Sequence, residues 1–231
     1  MVLRSRDAIG DNVARIIERI AEACRRAGRE RSEVRLVGAS KTVGPEAIGW
    51  AFESGVREFG ENYVGELRDK RGAVPDATWH FIGTLQSHTV HHVADLADVV
   101  QTLAPGSAVR RLGRRAVRGG RRLVALIEVD FTGARTGVAP ERASAFVDEV
   151  ASVEGLQLVG LMTMPPFFSE PEEARPFFRR LRELRDRLAR DHPSLTELSM
   201  GMSMDFPVAI EEGATMVRIG TALFGERPPT T

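Results

Sequence analysis

The sequence predicts an α/β fold, a (β/α)8 TIM barrel preceded by one extra N-terminal helix, and three observations carry that prediction. Eight short apolar runs recur along the 231 residues, and stretches of helix length separate them in strict alternation. Such alternation builds βαβ units and a parallel sheet, whose strands read as continuous apolar runs because helices cover both faces. No shift in composition divides the repeats, and an α/β barrel of this length commonly forms one domain. The competing arrangement is an open, doubly wound sheet. It loses ground because the first strand ends in Ser40-Lys41-Thr42 rather than a glycine-rich dinucleotide fingerprint.

The elements follow in order. Ile9, Val13, Ile16, Ile17, Ile20 and Ala23 keep helical spacing over 7–28, where Gly28 supplies a stop. The period then changes. Strands are predicted at 35–40, 56–61, 78–83, 98–103, 123–130, 156–163, 196–201 and 216–220. Helices fill the intervals at 45–54, 63–72, 87–97, 106–118, 140–153, 172–191 and 204–213. Several of these begin with Pro or an acidic first turn and several end at Gly, as helix boundaries should. The chain thus reads as a helix and linker over 1–34, a barrel over 35–225 and an unstructured tail over 226–231.

Composition narrows the function. Hydrophobic residues at 42% and charged residues at 28% describe an ordinary soluble globular protein. The net charge is zero, so no global field favours a polyanion, and nucleic acid is not an expected partner. The basic run from Arg110 to Arg122 reads as a solvated helix and the loop after it. The single cysteine, Cys24, excludes an internal disulfide and a Cys-rich metal site and fits a reducing compartment. Residues 1–10 lack an apolar signal core, and no apolar run approaches the roughly eighteen residues that span a membrane. A cytoplasmic location without membrane association is expected.

Barrel chemistry sits at the C-terminal ends of the strands, often with a phosphate after strands seven and eight. Strand one ends at Lys41. The chain holds 32 Lys plus Arg, of which only Lys41 and Lys70 are lysines. Arginine stays charged, whereas a lysine can shift its pKa and act as a base or a Schiff-base nucleophile. An amine is therefore either needed at position 41 or merely a solvated strand-end residue, and composition leaves both open. Strand eight closes the barrel beside strand one, which predicts Arg218 facing Lys41. The segment "SMGMS" and the turn at Gly220-Thr221 offer hydroxyls and backbone for a phosphate cradle, with Ser203 also suited to capping the helix near Met204. A lysine beside a phosphate site suggests pyridoxal 5'-phosphate (PLP). Arg218 at the pyridine nitrogen would disfavour its protonation and weaken the ring as an electron sink.

The stretches "LVGASKT", "FGENYVGE", "WHFIGTLQ", "GLMTMPP" and "LSMGMSMDFPVAIEEGATMVRIGTALFG" resemble the pyridoxal phosphate homeostasis protein family. These are single barrels similar to the N-terminal domain of alanine racemase. The resemblance implies that Lys41 forms the Schiff base and that Arg218 faces the pyridine nitrogen. It also implies that Ser203, Gly220, Thr221 and the amide of Met202 hold the phosphate, while Asn62, His80 and Met162 line the ring or the mouth of the pocket. Departures stand at Gly65, where Gln is expected, and at His88-Thr89, where an Asn-Lys pair is expected. In "VDFTGARTG" Arg135 resembles the arginine that alanine racemases place near the cofactor's phenolic oxygen.

Two-base inversion of an amino acid needs an acid or base on each face of the adduct. In alanine racemase the second base is a tyrosine from another domain of the partner subunit, and the only tyrosine here is Tyr63. Packing on the following helix is expected of it rather than a place at the rim. The sequence thus reads as a monomeric binder of PLP, and of other B6 vitamers, acting in intracellular vitamin B6 homeostasis toward client PLP enzymes. The alternative is an amino-acid racemase or another weak PLP enzyme. His88, His91 and His92 share one predicted helix and read as solvated, not metal-ligating. Phe177-Phe178 with Leu181, Leu184 and Leu188 reads as barrel packing.

Overall fold

The structure, a computed structural model, describes residues 5–226. The expectations for residues 1–4 and for 227–231 of the tail lie outside the described residues. Eight parallel strands close in sequence order: β1 (Arg35–Ala39), β2 (Glu58–Glu61), β3 (Thr78–Phe81), β4 (Val99–Leu103), β5 (Leu123–Glu128), β6 (Leu156–Met162), β7 (Glu197–Ser199) and β8 (Met216–Ile219). The seam pairs Val37 with Arg218 and Gly38 with Ile219. Helices α2 (Pro45–Glu53), α3 (Val64–Ala73), α4 (Val90–Leu96), α5 (Ser107–Arg118), α6 (Ala143–Ala151), α7 (Arg175–Leu188) and α8 (Phe206–Glu211) wrap the outside. A four-residue α9 (Thr221–Phe224) follows β8 and is too short to leave a periodic signature in sequence.

The N-terminal helix, α1 (Arg6–Arg26), begins where the Ser5 hydroxyl accepts the amide of Ala8. Its buried face is Ile9, Val13, Ile16, Ile20, Ala23 and Cys24, pressed on α2, α8 and α9 across the seam of the barrel. Each such isoleucine contributes about 1.5–3 kcal/mol on burial. On the far flank, Arg175, Arg179 and Arg182 of α7 converge on the buried Glu212 carboxylate at 3.2, 3.1 and 3.0 Å. No helix among the described residues is long and apolar enough to cross a membrane.

Two interiors result. Outward strand residues such as Phe59, Trp79, Phe81 and Ile127 pack beneath the helices. Inside the barrel, Val37, Val99, Leu126, Met162 and Met216 form a separate apolar cluster. Strand side chains alternate between these two environments, so inward polar residues hide within runs that read as apolar.

Several boundaries differ from the sequence expectation. Residues 87–89 form a turn and α4 starts at Val90, so His88 stands off the helix that holds His91 and His92. The helix expected from Met204 starts at Phe206, behind Asp205 as its N-cap residue. Phe178, Leu181, Leu184 and Leu188 are buried as expected, while Phe177 meets the rings of Phe131 and Phe168.

Candidate functional site

Lys41 follows β1 on a tight turn in which the amide of Val43 donates to the carbonyl of Ser40. Thr42 takes φ 64°, the only positive φ at a non-glycine position among the described residues. A threonine there costs about 1–3 kcal/mol, which the surroundings must offset. They do so from α3, where Glu66 Oε2 accepts the Thr42 amide at 2.8 Å and Lys70 Nζ donates to the Ser40 carbonyl at 2.7 Å. Lys41 itself is half-buried, its Nζ 5.1 Å from the centre of the Tyr63 ring. Tyr63 is 52% exposed and lies beside the lysine instead of packing on the helix as expected, and neither Lys41 nor Tyr63 lines the two cavities described below.

On the neighbouring strand, Arg218 points inward and is buried. The strand partner of Arg218 is Val37, so Lys41 lies farther along, on the loop above it, rather than directly opposite. Its Nη2 donates to the Thr163 carbonyl at 2.9 Å and its Nη1 to Ser199 Oγ at 2.5 Å. Burial lowers its pKa to about 10, against the pull of Glu128 and Asp205, and it stays cationic at neutral pH. Ser199 Oγ donates onward to Gln101 Oε1 at 2.6 Å. The Gln101 amide is thereby oriented, so its Nε2 donates to His80 Nδ1 at 2.7 Å, and His80 Nε2 carries the proton it shares with Glu58 Oε2 at 2.9 Å. Every donor in this series points the same way, down the barrel axis to a carboxylate. Burial pushes Glu58 up, but the hydrogen bond from His80 and the charge of Arg35 outweigh it and hold the carboxyl below its ordinary range. At the bottom, Arg35 bridges Glu58 and Glu197 at 3.7 and 2.9 Å.

His80 is therefore not at the mouth. It is fully buried in the lumen, because an inward side chain on short β3 meets Gln101 and Glu58 rather than solvent. A cavity of about 190 Å³ does gather Met202, Ser203, Arg218, Gly220 and Thr221, with Ala39 as a wall and Pro166, Phe167 and Met204 at its edge. Asn62 and Met162 line a second cavity, of about 280 Å³, together with Glu128 and Arg135. Asp130 shapes the loop that carries Arg135, accepting the amides of Thr132 and Arg135 at 2.8 and 2.7 Å. Arg135 Nε then pairs with Glu128 Oε1 at 3.2 Å. Gly65, His88 and Thr89 line neither of these cavities. No group of three His, Cys, Asp or Glu side chains among the described residues could hold a metal.

Two details amend the expected phosphate cradle. Ser203 Oγ accepts the amide of Ala222 at 3.1 Å, so it caps α9 and not the helix that follows it in sequence. The Met202 amide donates to Asp205 Oδ1 at 2.6 Å. Burial pushes the Asp205 carboxyl up, against the hydrogen bond from that amide. Asp205 thus occupies, with its own carboxylate, a donor an anion would want. The remaining donor set, two hydroxyls, a turn of backbone and a buried guanidinium, still fits a phosphate on a small ring. Backbone also passes close here, since a Cβ on Gly201, at φ +92°, would come within 2.6 Å of Ala209.

Sequence reasoning gave no role to Glu61, read only as a strand end, or to Glu66, Gln101 and Asp205; Ser199, counted among the hydroxyls of "SMGMS", lies buried between Arg218 and Gln101 instead of in the cradle. The first two had a signal, because Lys70 was the only other lysine in an arginine-rich chain. Gln101 and Ser199 stood as isolated polar residues at inward positions of apolar strands.

A family profile described as alanine racemase, N-terminal domain, matches residues 11–228. The chain is 44% identical over 222 residues to a pyridoxal phosphate homeostasis protein of Aquifex aeolicus (strain VF5), covering 94% of this chain and 97% of that one. It is 35% identical over 226 residues to the protein of that name in Escherichia coli (strain K12), covering 95% and 97%. PipY of Synechococcus elongatus PCC7942, solved with PLP bound, superposes with a TM-score of 0.80 at 34% identity, covering 91% of this chain and all of that one. An alanine racemase of Clostridium difficile 630 shares the fold, with a TM-score of 0.76 at 15% identity over 95% of this chain and 58% of the racemase.

Proposed function

The chain belongs to the pyridoxal phosphate homeostasis protein family, and from that premise we propose that it binds pyridoxal 5'-phosphate as a Schiff base on Lys41 and serves intracellular vitamin B6 homeostasis. When bound, the cofactor supplies an aldehyde that a lysine amine can capture and an aromatic ring that delocalises charge. One observation carries the reading: the half-buried Lys41 follows β1, next to the strand that delivers Arg218, Gly220 and Thr221 to a small cavity.

Lys41 Nζ is the nucleophile and rests against Tyr63 until it is used. Ser203, Gly220 and Thr221 hold the phosphate, and the Met202 amide joins them once Asp205 gives it up. Arg218 presents a cation to the ring nitrogen and so keeps that nitrogen unprotonated. Asn62 and Met162 bound the ring from the second cavity. His80 belongs to the site through Gln101 and Ser199, which orient Arg218, and not by contact.

This equipment favours holding and releasing the cofactor over turning substrates over. The chain acts as a cytoplasmic monomer that exchanges PLP and related vitamers with client enzymes. Tyr63 gives the racemase alternative a single observation in its favour, a phenol near the amine. It flanks the same amine, however, and inversion requires a group on each face. Borohydride reduction of the loaded protein followed by peptide mapping tests the assignment. Fixation on the peptide containing Lys41, abolished by Lys41→Ala, is expected; fixation on Lys70 overturns it. Steady racemisation of amino acids, abolished by the same substitution, would replace the binding role with catalysis.

A further inference from the structure

With attachment at Lys41 as the premise, we propose that Lys70, together with Glu61 and Glu66, is a positioning clamp that fixes the backbone on both sides of the cofactor lysine. Lys70 lies on α3 and is 3% exposed. Its ammonium has three protons, and three acceptors meet it: the Ser40 carbonyl at 2.7 Å, Glu61 Oε1 at 2.6 Å and Glu66 Oε2 at 2.5 Å. Glu61 Oε1 also takes the Ser40 hydroxyl at 2.6 Å, and Glu66 Oε2 also takes the Thr42 amide at 2.8 Å. The residue before Lys41 is thus held by its carbonyl and hydroxyl, and the residue after it by its amide. Lys41 is the one residue between them whose side chain is left to reach the site.

The chemistry of the clamp accounts for the second lysine. Three acceptors converging on one nitrogen match a compact ammonium, whereas a guanidinium spreads its donors over a planar fork. Arginine, which serves nearly everywhere else in this chain, cannot fill position 70. The clamp also explains how Thr42 keeps φ 64°: the Glu66 carboxylate rewards that conformation by accepting the amide it exposes. With its protons committed and its stem buried, Lys70 is not itself an attachment point.

The test compares Lys70→Met, Lys70→Arg and Glu66→Ala, each with and without Thr42→Gly. In cofactor-free protein, hydrogen exchange at the Thr42 amide reads the clamp directly, and protection is expected in the wild type and lost in all three variants. With PLP added, stopped-flow absorbance should show attachment to Lys41 slowed roughly 10- to 100-fold, since an ångström of misplacement carries that cost. Thr42→Gly should recover much of the rate, because glycine adopts the turn without help. Wild-type rates and unchanged Thr42 protection in the variants overturn the clamp, and so does slowing that Thr42→Gly fails to relieve. Should Lys70→Met not fold, Glu66→Ala decides by the same criteria, as Glu66 is partly exposed. If the wild type takes PLP on another residue, the premise fails, and the exchange measurement still judges the clamp.

Discussion

Arg218 Nη1 donates to Ser199 Oγ at 2.5 Å deep inside the barrel, and Ser199 passes the hydrogen bond on to Gln101. Replacing Ser199 by Ala removes an acceptor from a buried guanidinium and a donor from a buried amide. The loss should be about 1–3 kcal/mol of stability, the cost of stranding such groups. Urea unfolding should show a lowered midpoint, and the absorption band of bound PLP should move as Arg218, proposed to face the ring nitrogen, shifts. An unchanged band with an unchanged midpoint would mean the series is ornamental.

Gly83→Ala should disturb the loop that carries Asn62 and Tyr63. A Cβ on Gly83 would fall 2.1 Å from the Asn62 carbonyl oxygen, a clash with backbone that no rotamer relieves. Overpacking of this kind costs about 1–3 kcal/mol. Thermal melts should register that loss, and borohydride labelling of Lys41 should slow with it; a variant as stable and as quickly labelled as the wild type refutes the contact.

Asp205→Asn keeps an oxygen for the Met202 amide but removes a negative charge from the cavity proposed for phosphate. PLP should bind several-fold more tightly, and inorganic phosphate should compete better. Equilibrium dialysis at fixed ionic strength makes the comparison. Weaker binding would show instead that Asp205 builds the cradle and does not contend for it.

Glu212 provides a pH prediction. Burial pushes its carboxyl up, but hydrogen bonds from Arg179 and Arg175 outweigh that and hold it below the ordinary glutamate range. A depressed folded-state pKa stabilises above the unfolded value of about 4.3 and loses that contribution as pH falls through the folded value. Glu212→Gln should therefore cost about 1.5–3 kcal/mol at neutral pH, typical of charge-assisted hydrogen bonds. The difference from wild type should shrink toward pH 3 in urea titrations, and a pH-independent difference would contradict the assignment.

The barrel was legible because its outward strand faces and the stripes of its helices are apolar and periodic, and such patterns survive in one dimension. The position of Lys41 just past the end of β1 was legible, and composition made that lysine conspicuous. His80 was misplaced in depth rather than in face: it does point into the lumen, but nothing in "WHFIG" states where the strand stops, and so how far below the mouth an inward residue lies. Tyr63 was misjudged because a residue at the start of a helix can face either the helix beneath or the mouth above. The Met202 amide could not have been anticipated as occupied, since its partner Asp205 depends on where α8 begins. The departures at Gly65, His88 and Thr89 line neither cavity.

The polar series from Arg218 to Glu58, continued by Arg35 and Glu197, means that depth within this barrel is a poor guide to neutrality. A substitution at Arg35, on the face opposite the mouth, touches the same string of donors as one at Ser199. Variants of this chain found at the bottom rim are better judged by which proton they displace than by how far they stand from Lys41.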